Sequence, residues 1–388
     1  MRIVHLCLAS FYADGYAYQE NLLPKYHKQL GNEVFIVASR ETFDVRGKDA
    51  LYNGPSRYHN ENGIQVTRLE YKKPLRLYKK LRRYKGVYHV LVNTAPDILF
   101  IHGCQFLDAS KVVKYVKRHK ETIVYVDNHA DSSNSATNLV SKCLLHGIIW
   151  RHTASILNPI VSHFYGVLPS RVDFLIDVYR LPKEKCELLV MGADDELVDQ
   201  AKDSGIRTII RNEYGIKSDE FLIVTGGKIN KYRPEVLNLM QAIIELNRID
   251  VKLLFFGTVT EELKERFDRL CDNNSIVNVG WVNSEETYGL IEAGDLIVFP
   301  GLHSVMWEQA VAQGKPCIFR DLQGFHHVDI GGNALFLDDV SVSGIRKIIT
   351  DLLDNMEIYS RMKEVAEKKG KETFSYKHIA QRSIRREM

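Results

Sequence analysis

The chain has no CxxC pair and no local cluster of cysteine with histidine. Its six cysteines, Cys7, Cys104, Cys143, Cys186, Cys271 and Cys317, are scattered over 388 residues, several of them inside apolar runs. This spacing excludes a disulfide framework and a structural zinc site, and it points to a reducing compartment. No stretch approaches the ~18 apolar residues of a membrane-spanning helix. The opening MRIVHLCLASFY has one basic residue and a short apolar run ending in polar residues, which reads as a first strand rather than a secretion signal. No GxGxxG follows that run, which argues against a nicotinamide site, and the GxxxxGK[ST] spacing of a P-loop is absent. Sequence repeats, low-complexity tracts and coiled-coil heptads are also missing. The expectation is a cytoplasmic globular protein.

What is present suits two domains. The length fits about two average domains, and 45% hydrophobic with 26% charged residues supplies material for two cores. The net charge of +3 hides an asymmetry: residues 1–190 carry 27 Lys and Arg against 17 Asp and Glu, the remainder 25 against 32. Such a split suggests that the halves face different partners.

Short apolar runs alternate with amphipathic segments throughout. In the first half the predicted strands are 3–9, 34–38, 98–102 and 123–126, with helices near 18–30, 108–119 and 136–151. A boundary is expected between Gly192 and Asp219. The second half repeats the grammar, with strands 221–225, 252–256, 276–279 and 296–299. Its helices lie near 234–247, 261–271, 284–293, 304–313, 342–355 and 357–370. Strands alternating with helices of this length imply parallel sheets covered on both faces.

Two stretches could carry chemistry. In DLIVFPGLHSVMWEQAVAQGKP (295–316) a buried strand turns at Pro300-Gly301 into a helix expected from Ser304, its N-cap, to Gln313. A helix N-terminus at the carboxyl end of a parallel sheet is where α/β proteins hold anions. Glu308 is the carboxylate of that helix, and on spacing alone a solvated face is an equal reading. In TGGKINKYRP (225–234) a strand runs into Gly226 and Gly227, then Lys228, Lys231 and Arg233. Glycines admit a ligand to the backbone and cations neutralise phosphate, although such a turn alone is more often a solvated loop.

The order of these stretches resembles retaining glycosyltransferase family 4, and the likeness extends over most of the chain. The loop with Gly15 is similar to the family's glycine loop after the first strand. LLVMGADDELV (188–198) resembles the entry into its donor domain, and VGWVNSEETYGLIEAGDLIVFP (279–300) the run that ends in its Pro-Ser turn. The helix followed by Gly314-Lys315-Pro316 resembles the family's Glu-Ala helix. The resemblance implies the GT-B architecture: two Rossmann-like doubly wound domains, 1–190 for the acceptor and 191–372 for the nucleotide-sugar, facing a central cleft. A C-terminal helix, 373–388, is then expected to pack back on the first domain.

The roles implied follow the matching positions. Lys228 and Lys231 match the basic residues that bind the donor diphosphate, with a gap about two residues short. Glu308 matches the second carboxylate of the family's E-x7-E pattern, which accepts hydrogen bonds from the ribose. Gly15, Gly226, Gly227, Gly301, His303 and Ser304 fall in the donor site, His303 and the backbone from Gly301 to Ser304 being candidates for sugar contacts. His129 falls where the family often has a histidine facing the sugar; its bland alternative is a loop histidine bonded to Asp127 or Asp131. The first carboxylate of the pattern is missing, because position 300 is proline. No Asp-x-Asp motif occurs, so no obligatory metal and no cofactor are expected beyond a UDP- or GDP-sugar co-substrate, and no two carboxylates can be nominated for a glycosidase. A non-catalytic partner protein of the same fold, binding nucleotide or stabilising a glycosylation complex, is the alternative to the transferase.

Between Lys72 and Lys85 lie eight cations and no acid: Lys72, Lys73, Arg76, Lys79, Lys80, Arg82, Arg83 and Lys85. Leu and Tyr are interleaved, so a helix here would be basic and amphipathic. Such a segment fits peripheral attachment to an anionic membrane on its cytoplasmic face, where each cation near the surface is worth ~1 kcal/mol. In the resembling family this domain takes the acceptor, a glycan or lipid-linked glycan of the kind used in surface polysaccharide biosynthesis. Nucleic acid has no recognition motif to support it, and a solvated loop is the plain alternative.

Overall fold

The computed structural model describes residues 1–43, 49–74, 79–132 and 134–384. The chain forms two compact units, Met1–Met191 with Ile379–Met388, and Gly192–His378. Each is an α/β domain on a mostly or wholly parallel sheet. Among the described residues no helix is long and apolar enough to cross a membrane.

The first unit contains strands β1 (Arg2–Cys7), β2 (Glu33–Ser39), β3 (Glu41–Phe43), β4 (Asp49–Leu51), β5 (Arg57–His59), β6 (Gln65–Leu69), β7 (Ile98–His102), β8 (Ile123–Asn128), β9 (His163–Gly166) and β10 (Cys186–Leu188). Eight of them form one sheet in the order β10-β9-β8-β7-β1-β2-β6-β5. All pairs are parallel except β5 with β6. The antiparallel pair β3-β4 stands apart. Central strands are buried along nearly their whole length, as a sheet with helices on both faces requires. Val4, Leu6, Leu99, Ile101, Val124 and Val126 anchor the core.

The second unit contains β11 (Phe221–Ile229), β12 (Val251–Val259), β13 (Ile276–Gly280), β14 (Leu296–Phe299), β15 (Cys317–Arg320) and β16 (Ala334–Leu337). Their order is β13-β12-β11-β14-β15-β16, parallel throughout. Ile223, Leu253, Phe255, Leu296, Val298 and Ile318 are buried at its centre.

Both sheets reverse their winding once. In the first unit β2 lies on one side of β1 and β7 on the other; in the second β12 lies on one side of β11 and β14 on the other. The carboxyl ends of such neighbouring strands diverge into loops that leave a crevice.

Several local expectations need correction. The helix after β14 is Met306–Ala312, and Ser304 does not cap it; Val305 holds that place without a side-chain bond. The GGK segment is not a loop, because Gly226 to Ile229 continue β11 against β12. The helix near 136–151 starts later, with wide π-type turns over Ser141–Trp150 before Arg151–Leu157. The described part of the basic segment is not one helix: Tyr71 pairs with Tyr84 across it, and Arg82 has φ of 51°. Arg76 lies outside the described residues. Of the cysteines, Cys7, Cys104 and Cys317 are buried free thiols, whereas Cys143 is exposed.

Candidate functional site

In the second unit a pocket opens where β11 and β14 part. Its lining includes Gly226, Gly227, Lys228, Arg233, Glu235, Pro300, Gly301 and Ser304. The glycines are demanded first by the sheet. A Cβ on Gly226 would stand 2.4 Å from the Phe256 ring, and one on Gly257 would stand 2.0 Å from the carbonyl oxygen of its register partner Gly227. Gly227 itself has φ of +126°, open to glycine alone at little cost. Lys228 then emerges exposed at the end of β11. Arg233 lines the pocket and Lys231 does not; Lys231 instead places its Nζ 4.9 Å over the Tyr232 ring. The cation two residues further on thus stands where Lys231 was expected.

Glu308 is neither on a solvated face nor in that pocket. It is fully buried, and its Oε1 and Oε2 lie 2.9 and 3.1 Å from His303 Nε2. His327 Nε2 approaches Oε1 at 2.8 Å. Burial alone would raise the Glu308 carboxyl, but the two imidazoles outweigh it and hold the group well below the usual carboxylate range. His303 also meets the edge of Trp307, with ring centroids 5.2 Å apart, and Trp307 stacks on Phe319. Both carboxylate oxygens are engaged inside the domain, so neither Glu308 nor the His303 ring is presented to the pocket. His327 was not legible as part of this cluster.

The first unit has its own pocket at the equivalent place, between the ends of β1 and β7. Ala9, Ser10, Lys80, Arg82, His102, Gly103, Gln105 and His129 line it. Gly15, with φ of +75°, stands in the turn before the helix Gln19–Gln29 and is not among the lining residues. His129 Nε2 lies 3.4 Å from Asp127 Oδ2, and its side chain stays 28% exposed. It therefore combines the local Asp127 contact with a place on the pocket wall. Burial opposes charge on His129, but Asp127 and Glu20 outweigh it and raise its pKa.

Behind His129 runs a buried row. His102 Nδ1 meets Asp127 Oδ2 at 2.7 Å, His5 Nδ1 meets His102 Nε2 at 2.9 Å, and His27 Nδ1 meets His5 Nε2 at 2.9 Å. His27 Nε2 reaches Ser383 Oγ at 2.9 Å. Burial, and then the neighbouring imidazoles, lower the His5 pKa well below its ordinary value. Burial brings His27 down to about 4 against the opposing pull of the Ala380 carbonyl. Asp127 is held well below the carboxylate range because His102 and His129 overcome its burial.

Most described cations of the basic segment have inward partners. Lys72 and Arg83 meet Asp108 at 3.1 and 3.9 Å, and Lys79 meets Glu41 at 3.0 Å. Arg82 donates to the Gln105 carbonyl. Lys80 and Lys73 remain exposed. Beside this pocket, Leu139, Val140, Leu144 and Ile148 are large apolar side chains left in solvent, on or next to the helix whose Leu145 and His146 line the pocket. Helical spacing alone did not single out this face, because its apolar residues read as core.

Two groups among the described residues bring three metal-capable ligand atoms within 4.8 Å of one another: Glu20, His102 and His129, and His303, Glu308 and His327. In the second, the carboxylate–imidazole distances are those of hydrogen bonds.

No family model matches the chain, and no curated protein sequence matches it. Solved structures do. The Anabaena protein Alr3699/HepE in complex with UDP superposes with a TM-score of 0.69 at 14% identity, covering 98% of each chain. A glycosyltransferase from Rickettsia africae gives 0.68 at 12% identity, over 98% of this chain and 96% of that one. A Listeria monocytogenes protein assigned as a UDP-N-acetylglucosamine 2-epimerase gives 0.62 at 13% identity, over 98% and 94%. Identities this low establish the fold and leave the reaction open. The chain has the GT-B type of α/β fold, two domains each built on a parallel sheet.

Proposed function

We propose that the chain is a retaining glycosyltransferase of the family 4 kind. It moves a sugar from a nucleoside diphosphate donor to a glycan or lipid-linked glycan, in surface polysaccharide biosynthesis. The observation that carries this reading is the pocket at the β11/β14 crevice, where Lys228 and Arg233 stand beside Gly301, Leu302 and Ser304. A fold neighbour was solved with UDP, and a crevice with two cations suits a diphosphate.

In a same-face transfer the acceptor attacks as the diphosphate leaves, through an oxocarbenium-like state with negative charge growing on the leaving group. The protein then needs no nucleophile; it needs positive charge already in place. Lys228 and Arg233 supply that charge, which is why no obligatory metal is proposed. His129 is assigned to the sugar, following the resemblance. The first unit takes the acceptor. Lys80, Lys73 and the exposed Leu139, Val140, Leu144 and Ile148 fit a protein resting on an anionic membrane surface from the cytoplasmic side.

The enclosure of Glu308 and the proline at position 300 favour a second reading, a non-catalytic partner that binds nucleotide without transferring. Calorimetric binding of UDP, GDP and ADP without metal, to wild type and Lys228→Ala, separates the two when joined to a donor-hydrolysis assay. Selective binding of one nucleotide with donor turnover supports the transferase, and loss of one such cation lowers turnover about a hundredfold. Binding without any turnover moves the weight to the partner protein.

A further inference from the structure

One carboxylate in the β11/β14 pocket is only half used. Glu235 begins the helix Glu235–Leu246 and is 9% exposed. Its Oε1 accepts a 2.7 Å hydrogen bond from Arg320 Nη1 at the end of β15. Its Oε2 is buried and has no partner. Buried carboxylate oxygens are almost always satisfied, and one that is not calls for an explanation.

The position of that oxygen supplies one. It lies 3.9 Å from where a Cβ on Gly301 would stand, at the turn that leaves β14. Both residues line the pocket with Gly227, Lys228 and Arg233. The resemblance calls for a carboxylate at position 300, next to Gly301, and Pro300 cannot provide one. The Glu235 side chain delivers the missing group to the same turn from a different element. Arg320 fixes its rotamer by holding one oxygen and leaves the other unpartnered beside the Gly301 turn.

We propose that Glu235 replaces the absent carboxylate and that its Oε2 accepts a hydrogen bond from a hydroxyl of the transferred sugar. A carboxylate accepts and does not donate, so it repels phosphate and selects a ligand group bearing a hydrogen. The crevice is thereby divided: Lys228 and Arg233 face the diphosphate, and Glu235 faces the hydroxylated ring. The inference rests on the nucleotide-sugar reading above and adds the residue that discriminates between sugars.

The test compares each nucleotide with its sugar conjugate. UDP, UDP-glucose, UDP-galactose, UDP-N-acetylglucosamine, GDP and GDP-mannose are titrated calorimetrically into wild type, Glu235→Ala and Glu235→Gln, with circular dichroism confirming the fold. For the conjugate that wild type binds best, Glu235→Ala is expected to weaken binding by about 10- to 100-fold, the range of a charge-assisted hydrogen bond. The parent nucleotide should change by less than about twofold, since it lacks the hydroxyl that Glu235 reads. Glu235→Gln should fall between, because its amide oxygen still accepts, and it serves as the readout if the alanine variant does not fold. Equal losses for nucleotide and conjugate, or no loss for either, overturn the role of Glu235 and leave the functional reading standing. No binding of any nucleotide to wild type overturns both.

Discussion

Replacing Glu308 should be felt in stability before it is felt in ligand binding. Its two oxygens take contacts of 2.9 and 3.1 Å from His303 and 2.8 Å from His327, with no solvent exposure. Removing a buried carboxylate that two imidazoles contact costs about 3–5 kcal/mol, because the remaining polar groups lose their partner in a dry site. With a urea slope of about 2 kcal/mol per molar, Glu308→Ala should lower the unfolding midpoint by roughly 2 M. Trp307 is fully buried beside His303, so its fluorescence, in a background with Trp150→Phe and Trp281→Phe, follows this unit alone. The pH dependence has a defined sign. A carboxyl whose folded pKa is depressed contributes fully above its unfolded value of about 4.3 and loses that contribution as the pH falls below it. The stability gap between wild type and Glu308→Gln should therefore hold from pH 7 to about 5 and shrink below about 4. A gap under about 1 kcal/mol at pH 7, the scale of a surface pair, would refute the buried cage. A large loss also means that a binding defect in Glu308→Ala says nothing about the ribose.

The pocket geometry separates two nearby cations: Arg233→Ala should reduce nucleotide affinity by about tenfold, whereas Lys231→Ala should change it by less than about twofold, both read by calorimetry. Equal effects would return Lys231 to the site. Co-sedimentation with vesicles should show binding to anionic but not neutral lipid at low salt, and Leu144→Ser with Ile148→Ser should weaken it several-fold; indifference to lipid charge would remove the surface argument.

Much of the fold was legible because local signals sufficed. Strands β7 and β14 and the helix Glu261–Cys271 were placed to the residue, since short apolar runs bounded by polar turns admit few alternatives. Strands β9, β10, β15 and β16 escaped notice: they have three or four residues each, too few for any period to emerge, and β14, equally short, was placed because Asp295 and Pro300 bound its four apolar residues. The candidate site was less legible because its contacts are long-range. Lys228 could be chosen from its place at the end of a strand. Glu308 could not be told from a solvated carboxylate, because His327 arrives nineteen residues later through a turn after β15. Arg233 and Lys231 look alike in sequence, and only the course of the turn sends one to the crevice. Glu235 and Arg320 meet across eighty-five residues, a separation no spacing rule reaches.

The three imidazoles behind His129 have a sense of direction. An ionised Asp127 can only accept, so His102 must carry its proton on Nδ1, which leaves Nε2 to accept from His5 Nδ1. From the other end, the Ala380 carbonyl lies 3.1 Å from His27 Nε2 and takes the Ser383 hydroxyl, so a bond to it needs a proton on that nitrogen. With Asp127 ionised the two ends ask for opposite proton order, and three neutral rings carry three protons for the four contacts of the row. The direction depends on one charge. Protonating Asp127 would let it donate to His102 Nδ1, and each ring in turn would then donate toward the Ala380 carbonyl, so the charge of a carboxylate at the end of β8 decides which way the row runs.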